Sequence, residues 1–224
     1  MDAIVISDIH LGAHNCQAKT LCAFLQTVRR EIKPKKLILN GDVFDSFDTR
    51  LRKRHWEVLT DLRKMSDEME VVWIQGNHDR DGPADMVSHL FGATFYQKSY
   101  CFASGGKQVL CVHGDRWDTF TSKRPILTWA ADQVYWFLQW VDPSFYLAKL
   151  AKRSSKTFLR NAERVEIGAR TMMAEKGCDI VLTGHTHHPV ARGDYFNSGS
   201  WTEHPPTYLE VDNGRVELKS FFES

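Results

Sequence analysis

Residues 1–45 read MDAIVISDIHLGAHNCQAKTLCAFLQTVRREIKPKKLILNGDVFD, and the order of elements in this stretch decides the fold. Ala3–Ser7 is a short apolar run, rich in β-branched residues, that stops at Asp8; Lys36–Leu39 is another that stops at Asn40-Gly41-Asp42. Continuous apolar runs of this length suit strands buried on both faces. Between them Leu21, Leu25, Val28 and Ile32 recur at helical spacing, and Pro34 closes the segment. Strand, helix, strand opens an α/β pattern.

The pattern continues outward. Trp56, Leu59, Leu62 and Met65 form a second helical stripe inside a charged segment, followed by Val71–Ile74 before Gly76-Asn77-His78-Asp79. Gln108–Val112 runs into His113-Gly114-Asp115, and Ile180–Leu182 into Gly184-His185-Thr186-His187. Ligands of such sheets gather outside the carboxyl ends of the strands, and every polar cluster falls at that end. Tyr100–Val112 predicts a hairpin turning at Ser104-Gly105-Gly106-Lys107, and Thr207–Phe221 another turning at Asp212-Asn213-Gly214. These hairpins require a mixed sheet, or a second sheet facing the first.

Composition narrows the class. The chain has 224 residues, 42% hydrophobic and 25% charged, which excludes collagen, low-complexity disorder and a disulfide-dense miniprotein. Lys+Arg of 29 against Asp+Glu of 28 leaves a net charge of +1, so no global field draws the protein to nucleic acid, and no nucleic-acid partner is expected. Cys16, Cys22, Cys101, Cys111 and Cys178 form no CxxC pair and read as idle thiols of a reducing compartment. With no leader and no long apolar stretch, a cytoplasmic location is expected.

One segment departs from the alternation. From about 119 to 175 the chain is helical in tone, with Trp129, Tyr135, Trp136, Phe137, Trp140, Phe145 and Tyr146 crowded into its first half. Between Phe120 and Arg160 seven Lys/Arg stand against two acids, a local balance of +5. Aromatic and basic residues together suit a membrane interface, so a peripheral contact through 119–160 with the inner face of the cytoplasmic membrane is expected. The alternative is a helical pair that packs its aromatics on the sheet and leaves a solvated basic face. Arg50–Arg54 reads as a solvated helix start, and His14, His55, His89, His188 and His204 read as surface or loop residues.

The strand-end clusters carry the chemistry. Asp8-x-His10, Asp42-x-x-Asp45, Asn77-His78-Asp79, His113-x-Asp115 and His185-x-His187 supply the carboxylate, amide and imidazole donors that divalent cations take. On an extended strand end, Asp8 and His10 share one side because side chains alternate, and so do His185 and His187. Any one cluster is common. Five of the ten histidines falling in such clusters, each after an apolar run, is not.

The set resembles the calcineurin-like metallophosphoesterase superfamily over the whole span from Asp8 to His187. The resemblance implies a single α/β domain over 1–224 (α+β by some schemes), a four-layer αββα β-sandwich with a helical insertion at about 119–175. It makes Asp8, His10, Asp42 and His187 ligands of one metal, and Asp42, Asn77, His113 and His185 ligands of a second. In two-metal hydrolysis the cations share a water, lower its pKa and aim it in line at phosphorus. Mn is the expected pair, with Fe, Zn, Co and Mg suited to the same donors. His78 is free to hydrogen-bond the phosphoryl oxygen or protonate the leaving oxygen, and Asp42 and Asp79 complete the expected catalytic set. Asp79 or Asp45 would orient the imidazoles, or merely cap the strand ends.

Within the superfamily, Asp45-Ser46-Phe47 and His78-Asp79 lack the Arg-Gly and the Glu of Ser/Thr protein phosphatases. Asp42-Val43-Phe44-Asp45, His113-Gly114-Asp115, Ser154-Ser155-Lys156, Gly184–His187 followed by Pro189, and Gly199-x-Trp201 resemble the branch containing bacterial UDP-2,3-diacylglucosamine hydrolase. That resemblance implies cleavage of a pyrophosphate bond in an acylated sugar nucleotide, giving UMP and an acylated sugar phosphate of the lipid A pathway. Asn77, His185, Lys156 and Arg153 are the expected substrate contacts. His78 stands where the best-known members of the branch carry Arg. The alternatives are a phosphodiesterase or nuclease, and a protein-binding scaffold without catalysis.

Overall fold

The computed structural model describes residues 1–79, 84–96, 98–118 and 156–222. The first four strands are β1 (Ala3–Ile6), β2 (Lys36–Asn40), β3 (Glu70–Ile74) and β4 (Thr94–Tyr96), paired in parallel. The C-terminal hairpin β10 (Thr207–Asp212) and β11 (Arg215–Ser220) joins β1 antiparallel, giving a six-stranded sheet in the order β11-β10-β1-β2-β3-β4. A second sheet is built from β5 (Tyr100–Ser104), β6 (Lys107–Cys111), β7 (Ile180–Thr183), β8 (Val190–Arg192) and β9 (Tyr195–Asn197). Its order is β5-β6-β7-β9-β8, with parallel pairing of β6 to β7 and of β7 to β9. Both expected hairpins are present, and the second sheet faces the first.

Side-chain alternation explains the layering. Ala3, Val5, Ile38, Val72 and Ile74 of the first sheet meet Phe102, Val109, Cys111, Ile180 and Leu182 of the second in the central core. Their neighbours Ile4, Ile6, Leu37, Leu39, Val71 and Trp73 point the other way, under α1 (Ala18–Thr27) and α2 (Lys53–Ser66). On the far side Leu110, Val112, Val181 and Tyr195 pack against Ala169 of α3's successor in the chain: with α3 at Ala84–Phe91, that helix is α4 (Lys156–Glu175). The result is αββα, with strands buried on both faces as their unbroken apolar runs require. Trp117 lies so close on α4 that a Cβ at Gly168 would come 2.4 Å from its ring. α4 is therefore the outer helical layer, and it seats the loop that follows His113.

Two sequence expectations need correction in α2. Trp56 is 58% exposed, and the helix buries His55, Val58, Leu59, Leu62 and Met65 instead. His55 is not a surface residue: its Nδ1 accepts the Arg52 N–H at 3.2 Å and closes the first turn. α1 continues into a π-helical turn, Val28–Ile32, that ends on left-handed Lys33 before Pro34. Arg52, Lys53 and Arg54 are exposed at the start of α2. No helix of the described residues is long and apolar enough to cross a membrane.

The two sheets are tied at the site end by one buried amide. Asn40 Nδ2 donates to the carbonyls of Val112 and Leu182, both at 3.3 Å, while the backbone carbonyl of Asn40 accepts from His113 Nδ1 at 2.8 Å. Leu182 O also accepts the Val112 N–H at 3.0 Å, so loss of the amide takes one of its two donors, and takes from the buried Val112 carbonyl the donor that crosses the seam, which is costly. Asn40→Ala is therefore expected to lower the unfolding free energy by about 2 kcal/mol in urea denaturation. A change within ~0.5 kcal/mol would mean that apolar packing alone sets the seam.

Candidate metal centre

The site lies where β1, β2, β3, β6 and β7 end together. β1 stops at Ile6 and β7 at Thr183, so Asp8, His10, His185 and His187 are not on extended backbone. All four are left-handed, with φ of 53°, 50°, 64° and 55°, and Asp42 joins them at 52°. The side-chain alternation expected for the two Asp/His-x-His pairs does not operate here. Successive bends, rather than a pleat, turn both members of each pair inward. Left-handed backbone costs a residue with a Cβ roughly 1–2 kcal/mol, and such strain gathers at functional sites.

Backbone hydrogen bonds hold those bends. Asp8 N–H donates to Gly41 O at 3.0 Å, Ile9 and His10 to Asp42 O at 2.9 and 3.0 Å, and Trp201 N–H to Asp8 O at 3.0 Å. Gly41 sits at φ 90°, and a Cβ there would meet His113 Nδ1 at 2.2 Å, so the ring can pack only on a glycine.

The expected ligands converge. Donor atoms of Asp8, His10 and His187 lie within 4.8 Å of one another, and so do those of Asp42, His113 and His185. Asp42 joins the two groups: its Oδ2 is 3.1 Å from His113 Nε2 and 3.8 Å from His10 Nε2, while its Oδ1 accepts the His78 N–H at 2.9 Å. His187 Nε2 lies 3.2 Å from both His10 Nε2 and Asp8 Oδ1. Asn77 Oδ1 and His113 Nε2 are buried without a directed hydrogen bond.

This is a donor set in need of a cation. His10 Nδ1 is held by Asp45 Oδ1 at 3.3 Å, His113 Nδ1 by Asn40 O at 2.8 Å, and His187 Nδ1 lies 3.3 Å from Thr202 Oγ1. Each of those rings thereby turns Nε2 inward, the arrangement that fixes ring orientation in metal-binding histidines. His185 is reversed, its Nε2 donating to Asp118 Oδ2 at 2.9 Å and leaving Nδ1 on the other edge. Carboxylate, amide and imidazole converging in this way fit a pair of divalent cations.

Electrostatics agree. Burial works against the charged forms of Asp8 and Asp42, yet His187 and His113 outweigh it: Asp8 falls to about 2, and Asp42 falls well below the usual carboxylate range. Burial likewise opposes a charged His113, but Asp42 beside it raises the ring to about 10. His10 is also raised, burial being overcome by Asp45, Asp42 and Asp8. A cation bound by these nitrogens must displace their protons, so binding depends on pH.

Asp79 was expected among the catalytic residues, and its placement argues for support instead. It is wholly buried and accepts four N–H groups: Val43 at 3.4 Å, Phe44 at 3.2 Å, Gly76 at 3.1 Å and Trp73 Nε1 at 3.3 Å. It ties the loop carrying Asp42 to the turn carrying Asn77. His78, by contrast, is exposed at the mouth, with its Nδ1 donating to Asp45 O at 2.7 Å.

Several supporting residues were not foreseen. Asp118 lies beside the His113-Gly114-Asp115 motif, and a second carboxylate so near a strand-end cluster was the available signal. Asn197 donates to Gly184 O at 2.6 Å and accepts Gly199 N–H at 2.9 Å, which makes the end of β9 a further polar strand end. Ser7 bonds to Asp8 and to Ser198. Of the expected substrate contacts, Asn77 and His185 lie in the site, Lys156 opens α4, and Arg153 lies outside the described residues, as does the aromatic stretch 119–155.

A family model for calcineurin-like phosphoesterases matches residues 1–189. The chain belongs to that family. Among its curated relatives are the UDP-2,3-diacylglucosamine hydrolases of two strains of Pseudomonas putida, each 26% identical over 206 residues covering 84% of this chain and 82% of theirs. Among solved structures, a protein of unknown function from Aquifex aeolicus is similar at 17% identity and a TM-score of 0.49, over 85% of this chain and 82% of that one. The family implies bound divalent metal ions, and the donor groups described above are candidates to hold them.

If Asp79 is the tie between two ligand-bearing loops, Asp79→Asn removes an acceptor and turns N–H donors toward N–H donors. The variant is expected to lose about 2–4 kcal/mol of unfolding free energy and most phosphoesterase activity together. Full stability with lost activity would make Asp79 a participant in the chemistry instead.

Proposed function

We propose that this chain hydrolyses the pyrophosphate bond of UDP-2,3-diacylglucosamine, releasing UMP and an acylated sugar phosphate. The observation that carries the reading is the similarity to the Pseudomonas putida hydrolases across 84% of the chain, combined with a complete set of donor residues at the strand ends. Asp8, His10, Asp42 and His187 would hold one divalent cation, and Asp42, Asn77, His113 and His185 the other. When bound, such cations acidify water and neutralise charge on phosphoryl oxygens. Manganese is the metal to test first.

The chain's own groups do the rest. His78 has its Nδ1 engaged by the Asp45 carbonyl, which leaves Nε2 at the exposed edge of the site, where it takes a proton in the neutral ring and gives one to a phosphoryl or leaving oxygen in the protonated ring. Asp45 and Asn40 keep His10 and His113 in one orientation, so no reorganisation is needed when substrate arrives. Lys156 and Arg153 are assigned to the sugar phosphate, and the aromatic residues of 119–155 to the acyl chains and to peripheral contact with the cytoplasmic face of the membrane. Both assignments rest on sequence alone.

A second reading is a diesterase acting on soluble nucleotides. It is favoured by His78 itself, an imidazole where the best-known hydrolases of the branch have a guanidinium, since an imidazole can give or take a proton and a guanidinium cannot.

The test is UMP release from UDP-2,3-diacylglucosamine by Mn-loaded protein, beside bis(p-nitrophenyl) phosphate and an Asp42→Ala control. UMP release at least about 100-fold above diester cleavage, and lost by more than about 1000-fold in the control, is expected. Diester cleavage without UMP release would move the function to the second reading. No hydrolysis of either substrate would revive a binding scaffold.

A further inference from the structure

The five cysteines read from sequence as idle thiols are not equivalent in space. Cys22 is buried by the first sheet's helices and Cys16 packs at the edge of that same core, while Cys111 is sealed between the sheets. Cys101 and Cys178 lie instead at the surface of the second sheet, with their Sγ atoms 3.7 Å apart, in van der Waals contact. They are 77 residues apart in sequence, which hid the pair.

Their settings differ in a useful way. Cys101 is exposed on β5, an edge strand of its sheet. Cys178 is half-buried in the turn that ends α4, where its N–H donates to Met173 O at 2.9 Å just after left-handed Gly177. Neither residue faces the metal centre. A disulfide needs its sulfurs at about 2.05 Å, so contacting thiols on a strand edge and in a turn have only a short distance to close.

We propose that Cys101 and Cys178 are a redox-modification site, joined by a reversible intramolecular disulfide when the protein meets a peroxide. Hydrogen peroxide oxidises the exposed Cys101 thiol to a sulfenic acid and is reduced to water. The Cys178 sulfur then attacks that sulfur: the S–S bond forms, the S–O bond breaks, and the hydroxyl leaves as a second water with the Cys178 proton. Two thiols lose two electrons and two protons, and one peroxide becomes two waters. A dithiol reverses the bond by exchange. Burial, with the Cys101 contact, pushes the Cys178 thiol up to about 11, so the closing step accelerates as pH rises toward that value.

The bond would fasten the end of α4 to the sheet edge. α4 is the helix on which Trp117 lies, and the chain between the two cysteines carries His113 and Asp118. Closing a loop of this length is expected to raise the melting temperature by about 5–10 °C.

The experiment treats the full chain with a small excess of hydrogen peroxide at pH 8 in a chelator, then alkylates, digests and maps the cysteines. Support is the loss of two of the five alkylatable thiols, a Cys101–Cys178 cross-linked peptide, and full reversal by dithiothreitol. Cys178→Ser should abolish the cross-link, while Cys22→Ser should form it as the unaltered chain does. Five thiols still alkylated, a bond between any other pair, or a dimer joined through Cys101 would each overturn the proposal. The peptide map of the unaltered chain decides even if a variant folds poorly.

Discussion

The structure is organised around one buried charge. Asp42 is almost wholly enclosed at the seam of two sheets, where an ionised carboxylate without partners would cost several kcal/mol. It is matched by His113 at 3.1 Å, His10 at 3.8 Å and the His78 N–H at 2.9 Å. Those partners come from three strand ends in both sheets, so the sandwich must close in register before the charge is satisfied. Asn40, whose side-chain amide bridges into the second sheet while its backbone carbonyl holds His113, couples that closure to the site. Asp42 in turn raises the His113 ring to about 10, against the opposing effect of burial.

Strain is the second constraint. Seven non-glycine residues among those described have positive φ, and five of them are the expected ligands Asp8, His10, Asp42, His185 and His187. The other two, Lys33 and Asn213, lie in ordinary turns. Relaxed strand ends would have been cheaper, and glycine or asparagine would have fitted these bends with less strain. The fold tolerates the bends at Asp8 and His10 because hydrogen bonds to the Gly41 and Asp42 carbonyls, and one from the Trp201 N–H, fix them. Loops that cannot relax away from the inward geometry give a preorganised donor set.

The layers were legible because the relevant signals are local. Uninterrupted runs such as Ala3–Ser7 and Val71–Ile74 announce strands covered on both faces, and all five such runs are strands. The Asp/His/Asn clusters were legible because each follows such a run. Details that depend on three-dimensional closure were not. Spacing placed Trp56 in a buried stripe, but the side of α2 that meets α1 and the sheet is set by tertiary packing, and His55 is buried instead. Period-two reasoning failed at Asp8 and His10 because a left-handed bend leaves no mark in sequence when the residue is not glycine. Asp118 and Asn197 act across 67 and 13 residues, and the Cys101–Cys178 contact across 77, so nothing in their neighbourhoods named their partners.

Under the proposed function, Asp42 is shared between two cation sites. Titrating the metal-free chain with Mn(II), read by bound-metal analysis and electron paramagnetic resonance, tests it most directly. A shared Asp42 requires two ions per chain with a spin-coupled spectrum, proton release on binding at neutral pH, and loss of the coupling in Asp42→Ala. A single isolated Mn(II) signal, or two uncoupled ions that survive Asp42→Ala unchanged, would contradict it.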